Sequence, residues 1–426
     1  MLINKIKNFF TSEFVINVST LMSGTVISQI IPFLIAPIIS RLYFPEDYAL
    51  VAVYNSITVL LTIVATGMYS SALMIDKTDQ EAINTASAAF LVTTSITIVS
   101  VLIFLLFNKT IAKLTKNDNI NIWLYLIPLT VFSTGGYQTL NMWNNRLKRY
   151  KRIATNRVIQ TIVTSGSTLI FGFLSYHSTG LMVSLLLGQI FSFMLLFYQT
   201  FFDDKDLYKE ISFEKIKSSF VRHCDFPKYN MPQGFLDGIR ESSIIWIISN
   251  FFGPFILGSY SFATNMLNKP LQTIGEAYRQ VFFQKVSSLY NENKDFWTFT
   301  KKNIFLLFLL FPFFLLILIW GSKIFNILFG NNWNTAGYIA QIICLWLFLR
   351  FFTSPLSSIP LILNQQKTFF YFGLINNISL PLILFLVTII SREYIVSFIA
   401  FTIIGVINLL FINYWIYKIS SIGKIS

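Results

Sequence analysis

The sequence has very little cysteine, histidine or charge. Of its 426 residues only two are cysteine and two are histidine, and 12% are charged. Cys224 and Cys344 are too few for a disulfide framework or a thiolate metal site, and His177 and His223 are isolated in the sequence. The sequence therefore predicts neither metal ligation nor histidine chemistry.

The shortage of charge also excludes an ordinary soluble domain, because such domains carry about a quarter charged residues. Here 54% of the residues are hydrophobic, and apolar runs recur along the whole length. The pattern predicts an all-α polytopic membrane protein. Its net charge of +13 fits lysine and arginine gathered in cytoplasmic loops, so no nucleic-acid partner is predicted.

Enzyme motifs are absent as well. The sequence has no phosphate-binding glycine loop, nucleophile elbow or nucleotide-binding domain, which are the signatures that phosphate or acyl-transfer chemistry would need. An ATP-driven pump within this chain is therefore excluded, and no enzyme activity or cofactor is predicted. Transport would be passive, driven by the membrane potential, or coupled to H+ or Na+.

Windows of about 20 apolar residues, the length that spans a bilayer, give twelve predicted transmembrane helices. They lie at approximately 14–40, 46–74, 82–107, 121–143, 155–176, 180–202, 229–250, 255–283, 303–320, 335–363, 368–390 and 394–417. The longest loop divides them six and six. We therefore predict an N-terminal bundle at 1–202, a cytoplasmic linker at 203–228 and a C-terminal bundle at 229–426.

The distribution of lysine and arginine predicts the orientation. With a cytoplasmic N-terminus, the inner side holds 22 of the 32 basic residues and the outer side holds 6. This bias follows the positive-inside rule. It predicts that both termini are cytoplasmic.

Two short matches indicate an internal repeat. The stretch Ile38 to Pro45 resembles Ile247 to Pro254, and both would follow the first helix of a six-helix set. Asn144-Asn145-Arg146 aligns with Asn364-Gln365-Gln366 after the fourth. Two parallel repeats are predicted, an arrangement that binds substrate between the halves near the midplane.

The segment 257–286 is apolar except for one polar stripe. Its members recur at spacings of four and three residues and so share one helical face; they are Asn265, Lys269, Gln272, Glu276 and Arg279. Within a membrane such a face must meet the protein interior, a partner charge or a water-filled cavity. The stripe is predicted either to line a polar cavity that attracts an anion or to form ion pairs that hold helices together.

The preceding predicted helix carries Asp237, Arg240 and Glu241 within about one turn. In an antiparallel hairpin Glu241 comes level with Lys269, Arg240 with Glu276, and Asp237 with Arg279, because both helices rise about 1.5 Å per residue. The equivalent positions of the first half carry no charge, which favours a substrate or ion site over a purely structural device. Arg350, in the tenth predicted helix, adds another intramembrane cation.

The densest basic cluster lies in the loop after the fourth predicted helix. It contains Arg146, Lys148, Arg149, Lys151 and Arg152. Such a patch at the inner leaflet gathers anionic lipid headgroups or pyrophosphate. Charge that only fixes the topology is an equal alternative.

Four stretches resemble bacterial polysaccharide transporters. Arg41 to Tyr48 resembles their outer turn, R-x-x-x-P-E-D-[YF]-G, with Ala49 in place of the glycine, and Asn145 to Arg157 resembles their basic inner loop. Gly258 to Ala263, with Pro270 and Val281 to Lys285, resembles their eighth helix, and Leu328 to Trp333 with Ala336-Gly337 resembles the entry to the tenth. The four matches occur in the family's order and together extend over nearly the whole chain.

The resemblance is to a Wzx-type O-antigen or capsule repeat-unit flippase of the multidrug/oligosaccharidyl-lipid/polysaccharide exporter superfamily. It implies a MATE-like exporter fold, with two six-helix bundles around a central cavity that opens alternately to either side. It also implies an undecaprenyl-pyrophosphate-linked glycan as substrate, moved between the leaflets of the bacterial inner membrane. A polysaccharide polymerase and a chain-length regulator would be protein partners.

On this interpretation Lys269, Arg279, Arg240, Arg350, Asn265 and Gln272 bind the substrate. Asp237, Glu241 and Glu276 balance the charge or carry the coupling ion. A multidrug or cation exporter of the same superfamily is the alternative, although it would favour a net acidic cavity. A membrane glycan polymerase or acyltransferase would need a large outer loop, which the sequence does not predict.

Overall fold

The structure is a computed structural model that describes residues 13–115, 119–292, 294–301 and 311–422. Within these ranges the chain is almost entirely helical and contains no β-strand. In chain order the first ten helices are α1 (Glu13–Leu42), α2 (Pro45–Ala65), α3 (Tyr69–Ala72), α4 (Asp79–Leu114), α5 (Ile120–Leu124), α6 (Ile127–Arg146), α7 (Tyr150–Phe173), α8 (His177–Asp203), α9 (Lys205–Tyr208) and α10 (Phe213–Arg222). After a π-turn at Phe226–Asn230 follow α11 (Met231–Asn291), α12 (Phe311–Phe329), a 3-10 turn at Asn331–Trp333, α13 (Asn334–Leu356), α14 (Ile359–Ile362), α15 (Gln366–Ser391) and α16 (Tyr394–Ile422).

Each of the twelve predicted segments is largely helical where the structure describes it, but turns interrupt 46–74 at residues 66–68, 121–143 at 125–126 and 335–363 at 357–358, and 155–176 runs past the end of α7 at Phe173. The seventh and eighth share α11, which is broken at Gly253 (φ 80°, ψ 179°). This backbone conformation is essentially restricted to glycine, so the predicted turn near residue 253 is confirmed. The first part of the ninth segment lies outside the described residues, and α12 begins at Phe311.

Nine described helical stretches are long and apolar enough to cross a membrane, and one of them, Phe226–Gln272, contains parts of both halves of α11. The predicted fourth and fifth helices, α6 and α7, are not among the nine. Their polar side chains instead bond to neighbouring helices: Asn144 donates to the Thr200 hydroxyl (2.9 Å) and Asn156 to the carbonyl of Ser192 (3.0 Å). Buried polar side chains that are satisfied in this way lower the hydropathy of a helix without exposing polar groups to lipid.

The chain forms two compact units. The first consists of Met1–Tyr43 and Leu50–Ile245, and the second of Phe44–Ala49 and Trp246–Ser426. The boundary between the two units falls within α11, between residues 245 and 246, and does not coincide with the longest loop. The predicted domain boundaries at 202 and 229 were drawn at the longest loop, whereas the two units are defined by their compactness. The predicted boundaries therefore stay a prediction.

In the first unit α1 packs on α7, α7 on α8, and α6 on both α4 and α8. Buried aromatic residues fix these contacts, among them Tyr43, whose hydroxyl donates to the carbonyl of Thr168 (2.8 Å). The amphipathic helix α10 packs on α4 through Ile216 and Ser219. The linker helix is therefore part of the first unit's core.

In the second unit α12 packs on α13, α13 on α16, and α15 on α16. An aromatic cluster surrounds the fully buried Phe262, whose ring lies 3.9 Å from that of Trp333 and 5.0 Å from that of Phe329. Tyr48, at the start of α2, contacts two rings of this cluster, Phe262 at 5.3 Å and Trp333 at 5.2 Å. The cluster explains why residues 44–49 belong to the second unit.

Candidate functional site

The first part of α11 places three predicted site residues in one charged cluster. The Arg240 guanidinium lies 3.3 Å from the Glu241 carboxylate and 3.8 Å from that of Asp237. Arg240 is only 14% exposed, whereas both carboxylates are about half exposed. Arg240 therefore has its charge offset by two acidic neighbours on its own helix, which leaves the cluster with a net charge of −1.

The first part of α11 also contacts α2. On α11, positions 234, 238 and 242 share one face, where Gly238 approaches the side chain of Ile63 and the Ser242 hydroxyl donates to the carbonyl of Ser56 (2.8 Å). Successive residues are rotated by about 100°, so Glu241 borders this face, Asp237 lies beyond it and Arg240 lies on the far side of the helix. Their predicted pairing with charges at 269–279 stays a prediction.

The polar stripe on the later part of α11 lies beside the second unit's core rather than in it. Lys269 and Gln272 are exposed, and Arg279 is half-buried. Asn265 is half-buried and its amide donates to the Ser261 hydroxyl at 3.4 Å. The side chain of Glu276 lies outside the described residues. The same helix buries Phe282 and Val286 in the apolar cluster with Ile359 and Ile416.

Arg350 lies in the second half of α13, where its guanidinium carbon is 5.5 Å from the centre of the Trp346 ring. Arg350 is half-buried, and the residues on either side of it in the sequence include the buried Phe348 and Phe351. A cation held over an indole ring keeps its full charge. Arg350 is therefore a fixed positive charge within the second unit, and its role in binding stays a prediction.

The structure divides the basic inner-loop patch into two kinds of residue. Arg146 bonds to Asp79 (2.8 Å) and to the carbonyls of Leu73 and Asp76 (2.9 Å each). Arg149 makes two bonds to Asp204, at 2.6 and 2.7 Å, and Arg152 pairs with Asp203.

Lys148 and Lys151, in contrast, are exposed. The three arginines tie the loop to neighbouring segments of the first unit. Lys148 and Lys151 are the residues of the patch most accessible to anionic headgroups. Both functions that the sequence left open for this patch remain compatible with the geometry.

The surroundings of Arg149 also shift the pKa values of two side chains. The hydrogen bonds from Arg149 to the Asp204 carboxylate raise the pKa of the guanidinium above its ordinary value, more than burial lowers it. Burial raises the pKa of Tyr208 to about 12, and the nearby Asp204 charge acts in the same direction. Both shifts favour the form that each residue has at neutral pH.

A second buried cluster was not predicted from the sequence. The Asp76 side chain is fully buried, and its Oδ1 lies 2.8 Å from His223 Nε2 and 3.4 Å from Arg222. Arg222 also pairs with Glu81 at 3.1 Å. The interpretation of His223 as isolated is therefore wrong, because residues 147 positions apart meet when α10 packs on α4. No local signal in the sequence identifies this pair, although the amphipathic pattern of α10 indicates a packed helix.

Metal ligation has no candidate site in the part of the chain that the structure describes. The acidic residues, histidines and cysteines there form no group of three that could hold an ion. Cys344 is buried, and its thiol is directed at the carbonyl of Phe314 (3.4 Å). Cys224 is exposed and lies in the linker.

Comparison with known families gives a match to the description "Polysaccharide biosynthesis protein" over residues 38–337. A comparison with curated protein sequences finds no match. Among solved structures, an inward-facing multidrug resistance MATE family transporter of the MOP superfamily has a TM-score of 0.73 at 12% identity, covering 97% of this chain and 99% of its own. The lipid II flippase MurJ, in an inward closed conformation, has a TM-score of 0.70 at 14% identity, covering 96% of this chain and 90% of its own.

A third similar structure is the MATE multidrug transporter DinF-BH, with a TM-score of 0.64 at 13% identity, covering 94% of this chain and 95% of its own. At such low identities the likeness establishes the fold alone. The predicted fold class, a MATE-like exporter fold, is confirmed.

Proposed function

Because this chain belongs to the family of polysaccharide biosynthesis proteins, we propose that it moves a lipid-linked oligosaccharide across the membrane. The substrate would be an undecaprenyl-pyrophosphate-linked repeat unit, transferred from the cytoplasmic to the periplasmic leaflet of a bacterial inner membrane by alternating access. The family and the fold support a membrane transporter or flippase. The glycan, the carrier lipid and the direction of transport are what we propose in addition.

The observation that carries the proposal is a set of cations in the second unit, at positions that the sequence predicts to lie within the membrane. Lys269, Arg279 and Arg350 lie in helices whose surroundings are aromatic and aliphatic, and Lys269 is exposed. Ionisable residues in such segments are costly and mark substrate or ion pathways. A pyrophosphate headgroup needs positive charge to leave the surface of the membrane, and these three residues supply it.

Arg240 is a weaker candidate for binding an anionic substrate than its sequence position suggested. Since Asp237 and Glu241 already offset its charge, Arg240 adds little attraction for an anion. The cluster is better suited to attracting a coupling cation, because two half-exposed carboxylates stand beside one guanidinium and leave a net negative charge. Asp237 and Glu241 would take that role, with Glu276 as a third acidic residue on the same helix.

The alternative is a multidrug or cation exporter of the same superfamily. The fold does not distinguish the two, because the TM-scores to MATE transporters and to MurJ are similar. The charge favours an anion: four basic residues (Arg240, Lys269, Arg279 and Arg350) stand against three acidic ones (Asp237, Glu241 and Glu276). A carrier of organic cations would favour the reverse balance.

Replacing the charged residues tests the proposal. We expect Lys269→Gln to reduce surface polysaccharide at least tenfold in cells with matched amounts of the protein, and Lys269→Arg to restore most of it. Glu241→Gln should reduce transport only if a coupling ion is used, and the double variant shows whether the two residues interact. Lys323→Gln, an exposed cation near the far end of α12, is the matched control.

Normal polymer in every variant would overturn the site assignment. A second assay separates the two candidate functions. Proteoliposomes containing the purified chain should flip a polyprenyl-diphosphate oligosaccharide and should show no gradient-driven accumulation of an organic cation dye. Dye accumulation without lipid flipping would favour the exporter.

A further inference from the structure

Two turns at one end of the second unit enclose a small cavity of about 260 Å³. Its walls are Phe251 and Phe252, before the break in α11, and Thr388, Ile389 and Arg392, where α15 ends. Both turns are predicted to lie on the outer side of the membrane. No sequence motif pointed to this cavity, because the two turns are separated by more than a hundred residues.

Arg392 stands at the rim of this cavity in a fixed backbone conformation. Its φ is 55°, and its backbone N–H donates to the carbonyl of Thr388 (3.0 Å), which ends α15. The side chain is exposed. Among the residues that the structure describes, the Arg392 guanidinium makes no ion pair or hydrogen bond. The cavity therefore carries one positive charge at its entrance.

The walls of the cavity are mostly apolar, and two of them are aromatic rings packed on other rings. Phe251 packs edge-to-face on Phe385 at 6.0 Å, and Phe252 packs on Tyr394 at 6.4 Å. Of the five wall residues, the other one with a polar side chain is Thr388, whose hydroxyl donates to the Ser397 hydroxyl (3.1 Å). A sugar needs several hydrogen-bonding groups, and these walls do not offer them.

An apolar stripe continues from the cavity along α15. Leu382, Leu386 and Ile389 follow one another at spacings of four and three residues, so they share one helical face. Each has about half of its surface exposed. The stripe ends at the cavity, one turn before the charge of Arg392. The positive charge of Arg392 and the apolar stripe are therefore adjacent.

We propose that this cavity and stripe bind an anionic phospholipid. Its phosphodiester contacts Arg392, and one acyl chain lies along the stripe. One cation at an apolar cavity matches a singly charged headgroup attached to a chain. Free phosphate gains nothing from apolar walls, and a diphosphate headgroup carries more negative charge than one cation offsets. The site does not depend on which substrate the protein transports.

Native mass spectrometry of the full chain, purified in detergent, tests this assignment with phosphatidylglycerol and phosphatidylcholine as probes. We expect tighter binding of phosphatidylglycerol, weakened about fivefold by Arg392→Gln, since one basic residue near a surface contributes about that much. Arg392→Lys should retain most of the binding. Leu386→Ser should weaken the binding of both lipids. Lys323→Gln, which removes an exposed cation of the same unit away from the cavity, should change nothing.

Three results would overturn the proposal. Equal binding of phosphatidylglycerol to the wild type and to Arg392→Gln would show that the charge is not used. Loss of the bound lipid on adding millimolar inorganic phosphate would indicate a site for the anion alone. Stronger binding of a polyprenyl diphosphate than of phosphatidylglycerol would assign the cavity to another lipid. If Arg392→Gln fails to fold, Arg392→Lys and Leu386→Ser decide the matter.

Discussion

Asp204 accepts hydrogen bonds from two side chains at once. Two come from the Arg149 guanidinium and one from the indole N–H of Trp143 at 2.9 Å. Only 4% of the Asp204 side chain is exposed, and Trp143 is buried. Arginine suits this position because its planar fork binds both oxygens of a carboxylate, which a lysine ammonium does not do.

We expect Arg149→Ala to lower the free energy of unfolding by about 3 kcal/mol, because it leaves the buried Asp204 carboxylate without its cation. Denaturant unfolding of the detergent-purified protein measures the change. Lys151→Ala removes an exposed charge from the same loop and should alter stability by less than about 0.5 kcal/mol. Equal effects of the two substitutions would contradict a structural role for Arg149.

The Asp76–His223 pair provides a second prediction at this scale. His223→Ala should destabilise the contact of the linker with α4 by about 2 kcal/mol, since the fully buried carboxylate loses a hydrogen bond. Limited trypsin digestion should then cleave the linker faster. Asp76→Asn in the same chain should remove most of the penalty, because the buried charge is gone. Additive effects of the two substitutions on cleavage would argue against the pairing.

At the scale of elements, the helices depend on a few positions where only glycine fits. Gly258, early in the second part of α11, lies against the backbone of Pro45, and a Cβ there would overlap the carbonyl oxygen of Pro45. Backbone atoms in a close contact have no room to yield. This contact holds residues 44–49 in the second unit.

Gly258→Ala is therefore expected to abolish most of the folded protein. Gly373→Ala is the matched control, because Gly373 lies within α15 and a Cβ there would meet nothing within 4 Å. That change should stabilise the helix by up to about 1 kcal/mol, the difference in helix propensity. Yield of monodisperse protein and the midpoint of thermal unfolding report both effects. Normal folding of Gly258→Ala would contradict the close approach.

Some helix boundaries have a local signal in the sequence. The Thr78 side chain accepts a hydrogen bond from the N–H of Glu81 at the start of α4, and the Ser212 side chain does the same for Lys215 in α10. Both are local signals that a sequence displays. The break at Gly253 was predicted from the length of the apolar run. The lower hydropathy of α6 and α7, in contrast, has its explanation in side-chain pairs with other helices.

At the scale of the whole molecule, the protein is a multi-pass membrane protein with the fold of the MATE-like exporters. Its excess of basic residues predicts that the linker and both termini lie on the cytoplasmic side. The orientation is open to a direct test because the chain has only two cysteines. Cys344 is buried and Cys224, in the linker, is exposed.

We expect a membrane-impermeant maleimide to label Cys224 in inverted vesicles but not in intact spheroplasts. In a Cys224→Ser background, Lys323→Cys should show the opposite pattern, because Lys323 is exposed and is predicted to lie on the outer side. Mass spectrometry of the labelled peptides identifies the site. Labelling of Cys224 from outside the spheroplasts would reverse the predicted orientation.

The exporter fold was implied by the family resemblance, but the sequence by itself determined most of the helical segments and the all-α membrane class. It could do so because a bilayer requires about 20 apolar residues per span and every backbone group to be bonded within its helix. These requirements are local along the chain. The predicted intramembrane charges on α11 were likewise visible, since helical spacing alone places them on particular faces.

Only the tertiary structure decided which charged residues have partners. Asp76 and His223 are 147 positions apart, and Arg149 and Asp204 are 55 apart, so no periodicity links them. The five basic residues of the inner loop look alike in sequence, but a buried carboxylate within reach separates Arg149 from Lys151. Arg240 is offset while Arg392 stands at a cavity for the same physical reason: the effect of a charge depends on the groups that the fold brings near it.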